Sequence, residues 1–326
     1  MRRAKSSFLL IFYCGSCVAR RIAVGWEPSD AVLTMEARDR QELTSGLLRV
    51  ALASQQLMRR ALDQDPPPSD SWAGEMAAGP LNTAPGWDLN HPFRTVQLAL
   101  RTTSESACQH GLALFEMSRS KRELAVPLAT VTRGSIEALG RVFWIISATS
   151  MRELISRVAS LEYYDMEYPA KYGQKLRRLP VKAEPTTPVS KYRDELKAWL
   201  EEHGIPLIRR GTTVLAIDLL EVSYGDGRVV YSDLSAAAHG QGWATANFYS
   251  FDTTRLQRDD SMLLAYCMYL TESMRTVAVR LARAFGTPSG DIDRWRQAGD
   301  QVDATIGEFV KPALDRAMRR AAAELD

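Results

Sequence analysis

Residues 124–148 read LAVPLATVTRGSIEALGRVFWIISA, and this stretch decides the fold class. Apolar side chains surround almost the whole circumference when the stretch is wound as an α-helix, and Pro127 falls in the first turn, where proline is tolerated. A helix that is apolar on every side has to be covered by other elements. The sequence therefore predicts a central, buried helix.

The segments on either side show the apolar spacing of amphipathic helices. Steps of three and four residues predict helices over 37–63, 93–117, 151–175, 191–203, 229–239, 259–284 and 291–324. The apolar run 214–224 fits a short helix or a buried strand, and we favour a helix because no partner strand is evident. The expected fold is all-α, a helical bundle of about seven to nine helices with long loops near 64–90 and 176–190.

The domain organisation follows from the breaks in this pattern. Residues 1–34 are expected to be a disordered leader or an upstream extension, because their apolar run is shorter than that of a signal peptide. The remaining ranges are an N-terminal helix and linker at 35–92, a core helical bundle at 93–285, and a C-terminal helix packed on the core at 286–326.

Composition and charge narrow the class of protein. The 326 residues are 45% apolar and 25% charged, as in ordinary globular domains. Lys+Arg of 41 against Asp+Glu of 39 gives a net charge of +2, so any basic nucleic-acid footprint must be local. No segment is long and apolar enough to span a bilayer, so no membrane association is expected, and the few, dispersed cysteines predict a protein of the reducing cytoplasm.

The cysteines do not predict a metal site or a disulfide framework. There are 4 of them, and only Cys14 and Cys17 form a close pair. A four-ligand zinc site needs a second pair or nearby histidines, and neither follows. We therefore expect no metal and no cofactor.

The buried helix carries an unusual polar stripe. Arg133, Glu137 and Arg141 are spaced by four residues, so all three project from one side of the helix. Burying charge is costly unless each charge is paired, so the stripe must meet partners, water or a ligand. Two interpretations stay open: an Arg-Glu-Arg network that holds helices in register, and a functional site.

A second group lies on the helix predicted over 229–239. Tyr231, Ser235 and His239 share one face of this helix, and small residues beside His239 would let a ligand or another helix approach closely. The imidazole could act as a general base or as an oriented donor, because its reference pKa lies near physiological pH. The alternative is a core histidine that hydrogen-bonds Glu137 or a backbone carbonyl.

Together these residues resemble a known pattern. An Arg-x-x-x-Glu helix and a later Tyr-x-x-Leu-Ser-x-x-x-His helix resemble an uncharacterised bacterial all-helical family, which is similar to the HEPN (higher eukaryotes and prokaryotes nucleotide-binding) superfamily. The resemblance covers about 93–284, and the residues that carry it are Arg133, Glu137, Tyr231, Leu234, Ser235 and His239. It implies a compact helical bundle of a kind that frequently forms homodimers and, in active members, an RNA-cleaving site of arginine and histidine.

The chain departs from the active HEPN motif. That motif places an arginine four to six residues before the histidine on the same helix, whereas the nearest arginine before His239 is Arg228, with ten residues between them. Arg133 or Arg141 would have to replace it from another helix. This departure favours binding over catalysis and leaves open whether the protein is an enzyme.

The expected function is that of a HEPN-like helical protein that binds a ligand, RNA or a protein partner, and the resemblance suggests a stress or phage-defence setting. The alternative is an RNA-cleaving enzyme that uses His239 with Arg133 or Arg141. The candidate catalytic residues are His239, Arg133, Glu137 and Arg141, and the candidate binding residues are Tyr231 and Ser235.

Overall fold

The structure is a computed structural model that describes residues 37–79, 81, 92–120, 124–176, 187–246, 248–250, 255–256, 260–301 and 303–304. The leader expected at 1–34 lies outside these residues. So do most of the loop expected at 176–190 and the end of the helix expected over 291–324.

Helices make up nearly all of the described chain, which confirms the all-α helical bundle. The first six are α1 (Ala37–Leu62), α2 (Trp72–Ala77), α3 (Pro92–Ser118), α4 (Ala125–Ile146), α5 (Met151–Asp165) and α6 (Glu167–Lys171). They are followed by α7 (Val189–Glu202), α8 (Thr212–Tyr224), α9 (Gly227–Ala238), α10 (Gly242–Ala246) and α11 (Asp260–Ala284). The last, α12, begins at residue 289 and is continuous to residue 301.

The described strands form two short antiparallel pairs. β1 (Lys175–Leu176) pairs with β2 (Thr187–Pro188), and β3 (Tyr249–Ser250) pairs with β4 (Arg255–Leu256). Each strand has only two residues, so these pairs lie within loops and do not form a sheet that packs on the helices.

Several element boundaries differ from the sequence prediction. The described helices outnumber the seven to nine expected because α2, α6 and α10 are only five or six residues long, too short to show a helical period. α2 lies inside the loop expected at 64–90, where Ser71 caps it by accepting a hydrogen bond of 3.0 Å from Gly74 N. The ambiguous run 214–224 is a helix, as we favoured.

α4 is the centre of the bundle. It packs against α3, α8, α9 and α11, and its side chains Ile136, Leu139 and Val142 are fully buried. The contact with α8 is unusually close: a Cβ atom at Gly140 would lie 2.7 Å from the carbonyl oxygen of Leu215. The buried helix predicted from residues 124–148 is therefore present, with one partly exposed side between α3 and α9.

The apolar core continues into the outer helices. α1 packs against α3 and α11, and Met58 of α1 lies in the same core as Ile292 and Trp295 of α12. The Trp295 indole also donates a hydrogen bond of 3.2 Å to Ser54 Oγ. Within the described residues, every helix falls short of the length and hydropathy that a membrane crossing needs.

Candidate functional site

Arg133 and Glu137 lie one turn apart on the partly exposed side of α4. The Nε atom of Arg133 donates a hydrogen bond of 2.7 Å to Oε1 of Glu137, as the i,i+4 spacing predicts. Their side chains are 22% and 24% exposed, so the pair is neither sealed in the core nor fully solvated. Water and small ligands can reach both charges.

Tyr231 connects this pair to α9. Its phenol donates a hydrogen bond of 2.6 Å to the same Oε1 atom of Glu137. A phenol has one hydrogen to give, so in the contact of 3.2 Å between Tyr231 Oη and Thr213 Oγ1 the threonine is the donor. The Arg133 guanidinium also lies 5.7 Å from the centre of the Tyr231 ring. Tyr231 therefore holds both members of the ion pair in place.

His239 completes the group from the end of α9. Its Nε2 atom is in hydrogen-bond contact with Nη1 of Arg133. A guanidinium can only donate, so Nε2 is the acceptor in this contact. Gly240 follows with φ of +64°, a conformation that suits glycine and ends the helix, and the imidazole is left exposed. His239 is thus not a core histidine, and it contacts Arg133 instead of Glu137.

Arg141 faces a different partner. It binds Asp165 of α5 through both terminal nitrogens, one at 3.0 Å, and Nη2 also donates to Thr212 Oγ1 at 3.2 Å. Eight residues of helix separate Arg141 from Arg133 by about 12 Å along the axis. The Arg-Glu-Arg network considered from the sequence therefore does not form: Glu137 pairs with Arg133, and Arg141 pairs with Asp165.

Ser235 lies one turn before His239 and is partly buried. Its carbonyl accepts the backbone N–H of His239 at 3.0 Å, but its hydroxyl has no hydrogen bond to any residue that the structure describes. Ser235 shares the face of α9 with Tyr231 and His239, as predicted, and is not joined to them by a side-chain bond.

The electrostatics of the group favour a charged Arg133 and a neutral Tyr231. Burial opposes the charge on Arg133, but the hydrogen bond and negative charge of Glu137 outweigh it, and the pKa of Arg133 is raised. Burial also raises the pKa of Tyr231, and the hydrogen bond to Glu137 raises it further. The phenol therefore stays protonated and remains a donor at neutral pH.

Two partners in this region could not be identified from the sequence. Thr213 and Asp165 belong to α8 and α5, far from the α4 stripe in sequence, and ordinary helix positions carry no signal of a contact between helices. Trp243 could have been identified from the sequence, because it is a large aromatic residue only four positions after His239. It is 56% exposed on α10, and its indole donates to Gln241 Oε1 at 3.0 Å.

A separate cavity lies between α1 and α3. Its volume is about 590 Å³, and its lining includes two paired arginines and a buried thiol. Arg59 is 2.7 Å from Glu105, and Arg101 is 2.9 Å from Asp63, so both cations are already neutralised. Nowhere in the described chain do three metal-binding side chains of His, Cys, Asp or Glu come together.

Comparisons with protein-family models, with curated proteins and with solved structures find no match to this chain. The resemblance to HEPN proteins therefore rests on residues of α4 and α9 alone.

Proposed function

We propose that this chain is a HEPN-like helical protein that binds RNA at the surface formed by Arg133, Glu137, Tyr231 and His239, called here the Arg133–His239 face. The observation that carries the proposal is the contact between the Arg133 guanidinium and the exposed His239 imidazole. An arginine of α4 thus lies beside the histidine of α9, and in this proposal it takes the role of the same-helix arginine of the HEPN motif.

The face offers suitable donors for a phosphate group. Arg133 has five N–H groups, and two of them are used in the hydrogen bonds to Glu137 and His239. The planar guanidinium can donate two parallel hydrogen bonds to phosphate oxygens. A phosphate that took Nη1 as its donor would release the Nε2 atom of His239. Three N–H groups stay free, so only a phosphate that displaces the Nη1 contact itself would free the lone pair of the imidazole.

Trp243 supports RNA as the ligand. It lies four residues beyond His239 and exposes more than half of its surface. Bases of single-stranded RNA stack on such aromatic side chains, with about 1–3 kcal/mol gained per base. A phosphate site with an exposed indole close by in sequence suits a nucleotide chain better than a free inorganic anion.

The test is the fluorescence anisotropy of a labelled single-stranded RNA of mixed sequence. Arg133→Ala should weaken binding at least about tenfold and lower the dependence of log K on log salt by about one, because one phosphate contact is lost. The matched control is Arg294→Ala, since Arg294 is an exposed arginine paired with Asp291 on α12. Equal weakening by the two substitutions would reject the proposal.

RNA cleavage at the same face is the second candidate. The specific observation in its favour is again the Arg133–His239 contact, whereas Arg141 is occupied by Asp165. His239→Ala should abolish release of fragments that end in a cyclic phosphate while leaving the thermal midpoint nearly unchanged, because the ring is exposed. Mass spectrometry of the fragments measures the first effect, and calorimetry measures the second.

The homodimer and the stress or phage-defence setting belong to the same proposal. Both come from the HEPN resemblance. Light scattering after size-exclusion chromatography tests the dimer: a monomer mass at micromolar concentration would remove it from the proposal. Survival of bacteria under phage challenge, with the chain and with its Arg133→Ala variant, tests the setting.

A further inference from the structure

His110 of α3 lies against the same turn of α4 as the Arg133–His239 contact. A Cβ atom at Gly134 would lie 3.4 Å from both Cε1 and Nε2 of the His110 ring. Gly134 directly follows Arg133 in the chain, and Arg133 contacts His239. Two imidazoles, one from α3 and one from α9, therefore stand beside the Arg133–Gly134 segment.

The position of His110 is fixed by the packing of α3 on α4. Ser135 Oγ donates a hydrogen bond of 2.7 Å to the carbonyl oxygen of Ala107, three residues before His110. A Cβ atom at position 134 would be in ordinary van der Waals contact with the His110 ring, so the ring lies directly on this turn of α4.

His110 is available for chemistry. It is exposed, and it has no hydrogen bond to any residue in the described ranges. His203, by contrast, stacks on Trp199 with ring centres 4.4 Å apart and bonds the carbonyl oxygen of Trp199 through Nδ1 at 2.8 Å. His110 and His239 are thus the exposed imidazoles that the described chain brings to α4.

We infer that His110 is the general acid for RNA cleavage at the Arg133–His239 face, with His239 as the general base. The inference rests on the second candidate function above. A neutral imidazole that has released Arg133 can accept a proton, and a protonated imidazole on the other side can donate one. The substrate class is RNA, because the attacking group in this arrangement is a ribose 2′-hydroxyl.

The step balances without a further reactant. His239 Nε2 takes the proton of the 2′-hydroxyl as the 2′-oxygen forms a bond to phosphorus. The bond from phosphorus to the 5′-oxygen breaks, and His110 gives its proton to that oxygen. The products are a 2′,3′-cyclic phosphate and a 5′-hydroxyl, and the two histidines have exchanged protonation states. Arg133 donates to a non-bridging oxygen throughout.

The test compares two substrates whose leaving groups differ in their need for a general acid. A dinucleotide of RNA has an alkoxide leaving group that needs an acid, whereas the nitrophenyl ester of uridine 3′-phosphate has a leaving group that does not. His110→Ala should slow cleavage of the dinucleotide by about 100-fold or more but that of the nitrophenyl ester by less than about tenfold. His239→Ala should slow both substrates by about 100-fold or more, since both need the base.

His203→Ala is the matched control, because this histidine packs on α7 and should change neither rate. His110→Gln, which keeps most of the side-chain volume, should behave as His110→Ala does and guards against a packing defect. Equal slowing of both substrates by the His110 variants, or no slowing, would overturn the inference and leave RNA cleavage standing. A chain that binds RNA and cleaves neither substrate would overturn both the inference and the cleavage function, but not RNA binding.

Discussion

The phenol of Tyr231 and the carboxylate of Glu137 are joined by a hydrogen bond of 2.6 Å that connects α9 to α4. The oxygen that accepts this bond also accepts Nε of Arg133. A residue that is 5% exposed therefore orients a carboxylate on the surface, and the carboxylate in turn orients the guanidinium beside His239. The site and the packing of α4 against α9 thus depend on the same bonds.

Tyr231→Phe should lower the free energy of unfolding by about 1 kcal/mol, because a partly buried carboxylate oxygen loses one of its two donors while the ring stays in place. Urea unfolding followed by circular dichroism measures the change. The control is Tyr172→Phe, since that tyrosine is 68% exposed and should leave stability unchanged. A Tyr231→Phe variant as stable as the unmodified chain would show that the bond contributes nothing.

Glu137→Gln should tighten binding of single-stranded RNA by up to about fivefold. A phosphate has to compete with Glu137 for Arg133, and a partly exposed ion pair contributes at most about 1 kcal/mol. Glutamine keeps an oxygen for the Tyr231 hydroxyl but removes the competing charge. Fluorescence anisotropy measures the affinity. The control is Glu202→Gln on α7, which removes one negative charge from an exposed position and therefore shows the effect of net charge alone. Weaker binding by the Glu137 variant would mean that Arg133 does not contact the phosphate.

The sequence contained enough to predict the central helix and one ion pair. The apolar circumference of residues 124–148 required burial, and the four-residue spacing of Arg133 and Glu137 placed them within reach of each other on one helix. The partners of His239 and Arg141 could not be predicted in the same way. They lie on other helices, and their contacts depend on how α4 packs against α5 and α9.

The position of His110 beside α4 could not be predicted from the sequence either. Nothing in the spacing of α3 relates His110 to Gly134, and their proximity follows from the antiparallel packing of α3 on α4. Gly134 was the available signal, since a glycine within a buried helix often marks a close approach. Short helices such as α2 and α10 were missed because five or six residues cannot display a period of 3.6.

Gly140→Ala should destabilise the fold by about 2 kcal/mol, although alanine is the better helix former. The added methyl group would lie 2.7 Å from the backbone oxygen of Leu215, so α4 and α8 would have to separate. The control is Gly242→Ala on α10, where a Cβ atom meets nothing within 4 Å. Thermal unfolding of both variants decides the matter, and a stabilised Gly140→Ala would show that α8 does not pack this closely.

Cys108 and Cys267 should resist alkylation in the folded protein. Burial raises the pKa of each thiol to about 12, so at pH 8 only about one thiol in ten thousand is the reactive thiolate. Iodoacetamide labelling followed by peptide mass spectrometry measures this, with complete labelling in urea as the control. Rapid labelling of Cys108 alone would show that the cavity between α1 and α3 opens widely.

Glu153→Gln should reduce stability at neutral pH and have little effect in acid. Glu153 accepts hydrogen bonds of 2.8 Å from both the backbone N–H and the hydroxyl of Thr149, at the start of α5, where Ser150 is the N-cap. The backbone bond is the main reason that the pKa of Glu153 is lowered, and the hydroxyl and Arg157 lower it further. The fold therefore favours the ionised carboxylate.

The sign of the pH effect follows from that lowered pKa. The ionised carboxylate of Glu153 makes its full contribution to stability above the ordinary pKa of 4.5. This contribution is lost as the pH falls through the lower pKa that Glu153 has in the folded chain. Glu153→Gln should cost about 1 kcal/mol near pH 7, as loss of a helix cap does, and progressively less toward about pH 2. Glu116→Gln, an exposed change on α3, should show no such trend in urea unfolding at the two pH values. A cost of Glu153→Gln that stayed constant with pH would mean that the ionised carboxylate is not what stabilises the start of α5.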